Sequence, residues 1–167
     1  MPPEPEGSEP SVVVGAAIIR AGSSGSSGSS GPLAVLAAQR SRPSRLAGLW
    51  EFPGGKVETG ESESAALRRE CVEELGAAVD VGPRLGPDLP VAPGVVLRVY
   101  LARLRPGTSL VATGEHARLR WLTADELDSV PWLPPDRPVL GPLAAFLRTG
   151  SADWPAGPPD ELWVSST

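Results

Sequence analysis

The stretch that decides the fold is GGKVETGESESAALRRECVEELGA, residues 54–77. Its second half has helical composition: Ser62 is a good N-cap residue, and Gly76 is a natural stop after the last turn. A helix between them would place three apolar side chains on one face, where they can anchor it to a sheet: Leu67, Cys71 and Leu75.

Three carboxylates crowd into the last turns of this predicted helix: Glu70, Glu73 and Glu74. Negative charge there opposes the helix dipole, and the like-charged i,i+4 pair costs roughly 0.2–0.5 kcal/mol in an isolated helix. One interpretation is a solvated acidic face. The other is a site for a hard divalent cation such as Mg²⁺, which binds through one or two carboxylates and would offset both penalties.

The loop before the helix, residues 54–61, is rich in glycine. Glycine lets the backbone approach a ligand closely and can present N–H groups to a phosphate. Lys56 in this loop is the only lysine of the chain. It is either an ordinary solvated charge or the partner of a phosphate or carboxylate.

Composition indicates one globular domain of 167 residues, with 41% hydrophobic and 21% charged residues. The net charge of −5 argues against binding to a nucleic-acid polymer, which requires basic surface. The single cysteine excludes an internal disulfide. No apolar run reaches the roughly 18 residues of a membrane span, and the acidic, proline-rich start is unlike a signal peptide. We therefore expect a cytoplasmic protein without a membrane partner.

Along the chain, the pattern predicts an α+β fold with a domain over residues 11–148. Apolar, β-branched runs predict strands, and capped amphipathic runs predict helices. The predicted strands cover 11–20, 32–40, 49–55, 77–82, 94–104 and 117–122, and the further helices cover 123–130 and 138–148. The Gly/Ser run at 21–32 is predicted to be a flexible loop, with a disordered tail at 1–10 and a flexible tail at 149–167.

The segment from Gly55 to Ala77 resembles the Nudix box at its fixed positions: Gly55, Glu61, Arg69, Glu70, Glu73, Glu74 and Gly76. The departure is Cys71, where a larger aliphatic residue is usual. The longer stretch AGLWEFPGGKVETGES is similar to the MutT-type branch of Nudix hydrolases. The resemblance implies an α/β/α sandwich with a mixed sheet. It also implies Mg²⁺-dependent hydrolysis of nucleoside triphosphates to the monophosphate and pyrophosphate, with Mn²⁺ as a substitute metal.

The resemblance also assigns roles by position. Glu70 and Glu74 would be the principal metal ligands, with Glu73 and the main-chain carbonyl of Gly54 assisting. Arg69 would hold the carboxylates in place. Three further fixed residues would shape the motif: Gly55, Glu61 and Gly76. Glu61 would tie the loop to the helix through Lys56.

Two residues compete for the role of general base in this resemblance, Glu70 and Glu115. Glu115 matches a MutT-type glutamate six residues before a tryptophan, here Trp121. Its loop should lie across from the box helix. The lone histidine, His116, is interpreted as a structural loop residue.

The nucleobase would be read by Asp136, in a context similar to that of cytidine triphosphate pyrophosphohydrolases. An ionised carboxylate accepts hydrogen bonds only, and the cytosine N4 amine is a suitable donor. Guanine also offers donors, and Asp136 could instead cap the following helix. Arg40 would contact substrate or be a surface charge. Trp50 and Trp132 would stack on a base or pack in the core.

Three functions therefore compete: a pyrophosphohydrolase of cytidine-type or modified pyrimidine triphosphates, an 8-oxo-dGTP diphosphatase, and a catalytically silent nucleotide-binding module. The substrate partner is a nucleoside triphosphate in the first two cases. The protein is expected to be a monomer or a homodimer.

Overall fold

The computed structural model describes residues 7–22, 31–114 and 116–151. Seven strands and two α-helices follow one another along the chain. They are β1 (Ser11–Gly22), β2 (Gly31–Arg40), β3 (Trp50–Glu51), β4 (Gly54–Lys56), α1 (Glu63–Leu75), β5 (Val79–Ala92), β6 (Val95–Leu104), β7 (His116–Thr123) and α2 (Leu140–Thr149), with 3₁₀ helices at Ala124–Ser129 and Pro134–Val139.

The strands form one mixed sheet in the order β3-β2-β1-β6-β5, with β4 paired to β1 and β7 paired to β2. The β1–β6 pair is parallel, and the other pairs are antiparallel. β1 lies at the centre and is buried on both faces, which explains why its sequence is a continuous apolar run rather than an alternation.

The core has two layers, one on each face of the sheet. On one face α1 packs with its predicted anchor residues, which are fully buried: Leu67, Cys71 and Leu75. On the other face α2 packs through Leu143 and Leu147 against the two buried tryptophans, Trp50 and Trp132. The predicted α+β sandwich with a mixed sheet is confirmed.

The ends of α1 are formed as the sequence predicts. The Ser62 hydroxyl accepts a hydrogen bond from the Ala65 N–H at 3.1 Å, and Gly76 adopts the left-handed conformation at φ 61°. A left-handed residue after the last turn favours glycine, because other side chains are strained there. This helix fixes the positions of Glu70, Glu73 and Glu74.

Several boundaries differ from the predictions. β1 continues to Gly22 and β2 already begins at Gly31, so the strands extend into the predicted Gly/Ser loop, and residues 23–30 lie outside the described part. β5 is longer than predicted, and the predicted helix at 123–130 is a 3₁₀ helix, in which the Glu126 carboxylate accepts from the Thr123 N–H at 2.9 Å.

Most of the two predicted tails, residues 1–6 and 152–167, also lies outside the described residues. No helix in the described part of the chain is long and apolar enough to cross a membrane.

Candidate active site

A cavity of about 570 Å³ opens where β4, the end of α1 and the end of β3 meet. Seven of the predicted site residues line it: Arg40, Gly54, Gly55, Lys56, Glu70, Glu73 and Glu74. Four residues that the sequence did not single out complete the lining: Val13, Glu51, Thr113 and Gly114. The fold therefore brings the glycine-rich loop and the three carboxylates to one place.

Arg69 donates the hydrogen bonds that hold the carboxylates of Glu61, Glu70 and Glu73 in place behind this cavity. Its guanidinium donates to both carboxylate oxygens of Glu61, at 2.8 and 3.0 Å, and to Oε1 of Glu70 at 2.9 Å. It also donates to the main-chain oxygen of Lys56 at 3.0 Å and, at 3.4 Å, to Glu73. Such a two-pronged contact is specific to arginine, and it lowers the pKa of Glu61 to about 2.

The expected tie between loop and helix thus runs through Arg69, not through the lysine side chain. Lys56 contributes only its carbonyl to this network, and its side chain is exposed on the rim of the cavity. There it remains available to a ligand.

Two glycines allow β4 to lie against both α1 and β1. A Cβ at position 55 would lie 2.3 Å from Oε1 of Glu70, and one at position 54 would lie 1.9 Å from the main-chain oxygen of Val14. A side chain at position 54 would meet backbone, whereas one at position 55 would displace the Glu70 carboxylate. The Gly54 N–H donates to Oε2 of Glu74 at 3.2 Å, which connects β4 to the last turn of the helix.

Glu74 is the carboxylate in the cavity lining whose pKa is raised. Its pKa is raised to about 7, first because the carboxylate is largely buried and then because Glu70 and Glu51 place negative charge nearby. His116 and the Gly54 N–H act in the opposite direction but do not compensate. A carboxylate held among other carboxylates in a low-dielectric place is stabilised by a cation.

The C-terminus of α1, which its acidic residues destabilise, is held by the segment before β7. The Thr113 hydroxyl lies 2.9 and 2.6 Å from the carbonyl oxygens of Glu73 and Glu74, and its single O–H proton is shared between them. The Val111 N–H donates to the Leu75 carbonyl at 2.9 Å. These donors satisfy carbonyl groups that a helix end leaves unpaired. Glu115, the predicted alternative base, follows directly and lies outside the described residues.

The sequence did not point to Glu51, which links two sides of the cavity. Its Oε1 lies 3.0 Å from the Arg40 guanidinium and 3.0 Å from Nε2 of His116. The interpretation of His116 as a loop residue is wrong, since it begins β7 and its side chain is only 1% exposed. In the sequence, Glu51 is only a glutamate shortly before the Pro-Gly-Gly turn, and no spacing rule identifies a glutamate there as a site residue.

Asp136 is placed in the second 3₁₀ helix and is 5% exposed. Burial, and secondarily the charge of Glu51, raises its pKa well above its usual range. Among the described residues its carboxyl group accepts and donates no hydrogen bond, and it caps neither this helix nor α2. The capping alternative is therefore wrong. Trp50 and Trp132 are buried and pack in the core, with Trp132 donating to the Leu127 carbonyl at 2.7 Å.

The donor set of the cavity suits a hard cation. Glu70 and Glu74 offer carboxylate oxygens one turn apart, and burial, followed by the charges of Glu70 and Glu51, raises the pKa of Glu74. Within those residues no three His, Cys, Asp or Glu side chains are already grouped around one point. Mg²⁺ does not need such a group, because it binds through one or two carboxylates and substrate phosphates. The individual ligand roles, including that of the Gly54 carbonyl, stay predictions.

The NUDIX domain family model matches residues 11–143. This chain is a Nudix hydrolase. The match spans the glycine-rich loop, α1 and the cavity described above. It confirms the predicted family and the predicted enzyme class.

Individual relatives place this Nudix hydrolase among proteins of the nucleotide pool. A Mycobacterium tuberculosis protein whose name assigns it 8-oxo-dGTP diphosphatase activity is 46% identical over 119 residues, 70% of this chain and 83% of the relative. The Escherichia coli CTP pyrophosphohydrolase is 35% identical over 116 residues, 70% of this chain and 86% of the relative. The crystal structure of the MutT NUDIX hydrolase from Burkholderia pseudomallei has a TM-score of 0.61 and 33% identity, and the match covers 81% of this chain and 99% of that one.

Proposed function

We propose that this Nudix hydrolase cleaves nucleoside triphosphates to the monophosphate and pyrophosphate with Mg²⁺, or Mn²⁺ in its place. One observation carries the proposal: Glu70 and Glu74 face the same cavity as the glycine-rich loop and Lys56. A triphosphate needs its charge neutralised on one side and cationic or N–H donors on the other. The cavity offers both.

In this proposal the side chains act mainly by position. Arg69 fixes the orientation of Glu70 through the 2.9 Å contact, and the Gly54 N–H fixes Glu74. Lys56 and Arg40 on the rim would contact the phosphates. A bound Mg²⁺ would neutralise the triphosphate and polarise its phosphoryl oxygens. Either Glu70 or Glu115 would take the proton from the attacking water.

We further propose that Asp136 reads the base and that the base is cytosine or a modified cytosine. Burial favours the neutral carboxylic acid, which donates one hydrogen bond and accepts another. This changes the argument from sequence, which assumed an ionised group that only accepts. Cytosine presents the matching pair, an acceptor at N3 beside the N4 amine donor.

The second candidate is an 8-oxo-dGTP diphosphatase, and the name of the relative that is 46% identical favours it. Oxidised guanine has an N–H donor at N7 beside the O6 acceptor, so it also matches a neutral Asp136. Both candidates use the same metal chemistry in the same cavity. We place either activity in the cytoplasm, where free nucleoside triphosphates are present.

The test is pyrophosphate release with Mg²⁺ from CTP, dCTP, 5-methyl-dCTP, dGTP and 8-oxo-dGTP, with Glu74→Gln as the control. The proposal predicts the highest kcat/KM for a cytidine-type triphosphate and loss of that activity in the control. A higher kcat/KM for 8-oxo-dGTP would keep the mechanism and replace the base assignment. No turnover of any triphosphate would contradict the proposal and favour a catalytically silent nucleotide-binding module.

A further inference from the structure

His116 has a buried ring that is fixed from one side. Its Nε2 lies 3.0 Å from Oε1 of Glu51, and the same oxygen receives a hydrogen bond from Arg40 at 3.0 Å. An ionised carboxylate accepts hydrogen bonds and cannot donate them. In the neutral imidazole, this contact places the proton on Nε2 and leaves a lone pair on Nδ1.

This Nδ1 atom is buried and has no hydrogen-bond partner among the described residues. Leaving a buried polar atom unpaired costs about 1–3 kcal/mol, so such an atom beside Glu74, which lines the cavity, calls for a partner. Oε2 of Glu74 lies 3.9 Å away, too far for a hydrogen bond. When Glu74 is ionised, both atoms are acceptors, so neither can satisfy the other.

We propose that Nδ1 of His116 is a nitrogen ligand of the divalent cation, beside Glu74, with Glu51 as the carboxylate that orients the ring. The inference rests on the proposed metal site. A histidine that binds a metal usually donates its other ring N–H to a carboxylate, which fixes its tautomer and orientation. Glu51 occupies that position here, and Arg40 holds it in turn.

The separation of the two ligand atoms is compatible with one shared cation. Nitrogen and oxygen ligands lie about 2.1 Å from such an ion, so two of them can be at most about 4.2 Å apart. The 3.9 Å between Nδ1 and Oε2 is within this limit. Two atoms that repel as neighbouring acceptors would both be satisfied by the ion.

A nitrogen ligand has a consequence for metal choice. Imidazole suits Zn²⁺, Fe²⁺ and Ni²⁺, whereas Mg²⁺ and Mn²⁺ favour oxygen ligands. The site should therefore bind Zn²⁺ more tightly than Mg²⁺. Exchange of His116 for a residue without the second ring nitrogen should reduce this preference.

The chain is well suited to a direct test, because His116 is its only histidine. Protein made without a histidine tag and grown with ¹⁵N-histidine carries the label at one residue. The probe is Mn²⁺ alone, and the readout is electron spin-echo modulation from nitrogen coupled to the bound ion. His116→Gln keeps an amide donor near the position of Nε2 and has none near Nδ1, whereas His116→Asn keeps a polar group near Nδ1.

The proposal predicts ¹⁵N coupling in the wild-type protein. It also predicts a Mn²⁺ dissociation constant about tenfold higher for His116→Gln, with His116→Asn binding more tightly than His116→Gln. Stoichiometric Mn²⁺ that requires Glu74 but shows no ¹⁵N coupling would overturn this inference and leave the proposed function intact. No Mn²⁺ binding at all would overturn both. The wild-type spectrum alone decides the point if a variant does not fold.

Discussion

Gly55→Ala should remove most of the activity while leaving the fold in place. Gly55 does not have a positive φ, so alanine meets no backbone strain. The new Cβ would lie 2.3 Å from Oε1 of Glu70, and an ordinary contact begins at 3.4 Å. The Glu70 carboxylate must therefore move by about 1 Å, away from Arg69 and from its place in the cavity.

The size of the effect follows from this displacement. A misplacement of about 1 Å can cost about 100-fold in rate, which corresponds to about 2.7 kcal/mol of transition-state stabilisation. Stability should change by less than about 1 kcal/mol, because the displaced group is the end of a flexible side chain and alanine reduces the entropy of the unfolded chain. Gly55→Ala should therefore lower the activity strongly and the free energy of unfolding only slightly.

Gly54→Ala is the matched control. A Cβ at Gly54 would lie 1.9 Å from the main-chain oxygen of Val14, and backbone in the central strand cannot move away as a side chain can. This variant should lose thermal stability together with activity. The assay is kcat/KM for Mg²⁺-dependent pyrophosphate release, paired with the thermal midpoint of each variant. Wild-type kcat/KM in a folded Gly55→Ala protein would refute the argument.

Three further predictions concern Glu74, Asp136 and Thr113. The pKa of Glu74 lies at about 7 in the fold against an ordinary 4.5, so the metal-free native state binds more protons than the unfolded chain between these values. Its stability should fall as pH rises from about 4.5 to 7, and Glu74→Gln should raise the thermal midpoint in EDTA at pH 8. An unchanged midpoint would contradict this. Asp136→Asn keeps a donor and an acceptor and should retain base preference, whereas Asp136→Ala should lose it, as kcat/KM ratios across the triphosphate panel will show. Equal ratios in both variants would speak against base reading. Thr113→Val should lower the free energy of unfolding by about 1–2 kcal/mol, and Thr113→Ser should restore it in chemical denaturation. Similar losses in both variants would assign the effect to packing.

The sequence predicted the elements that are determined by residues close together in the chain. Ser62, Gly76 and the apolar spacing of Leu67, Cys71 and Leu75 are enough to set the ends and the buried face of α1. The misplaced charges of the same helix pointed to the site. Each of these patterns lies within one turn or one face of α1, so it can be recognised without knowing how the rest of the chain folds.

The missed features depend on contacts between distant segments. Glu51 and His116 are 65 positions apart and meet only because β3 and β7 both pair with β2. Thr113 reaches the end of α1 from a different loop. The burial of Asp136 depends on packing between the second 3₁₀ helix and the rest of the core, and it raises the pKa of a carboxyl group that the sequence argument took to be ionised.

The most direct test of the central claim is the initial rate of monophosphate formation as a function of Mg²⁺ concentration, for the wild type and for Glu74→Gln. We expect no turnover in EDTA and a saturable rise with Mg²⁺ in the wild type. In the variant we expect kcat/KM to be lower by a factor of about 1,000, equivalent to about 4 kcal/mol. Turnover in EDTA at the rate seen with saturating Mg²⁺, or a Glu74→Gln variant as active as the wild type, would contradict the metal-dependent mechanism.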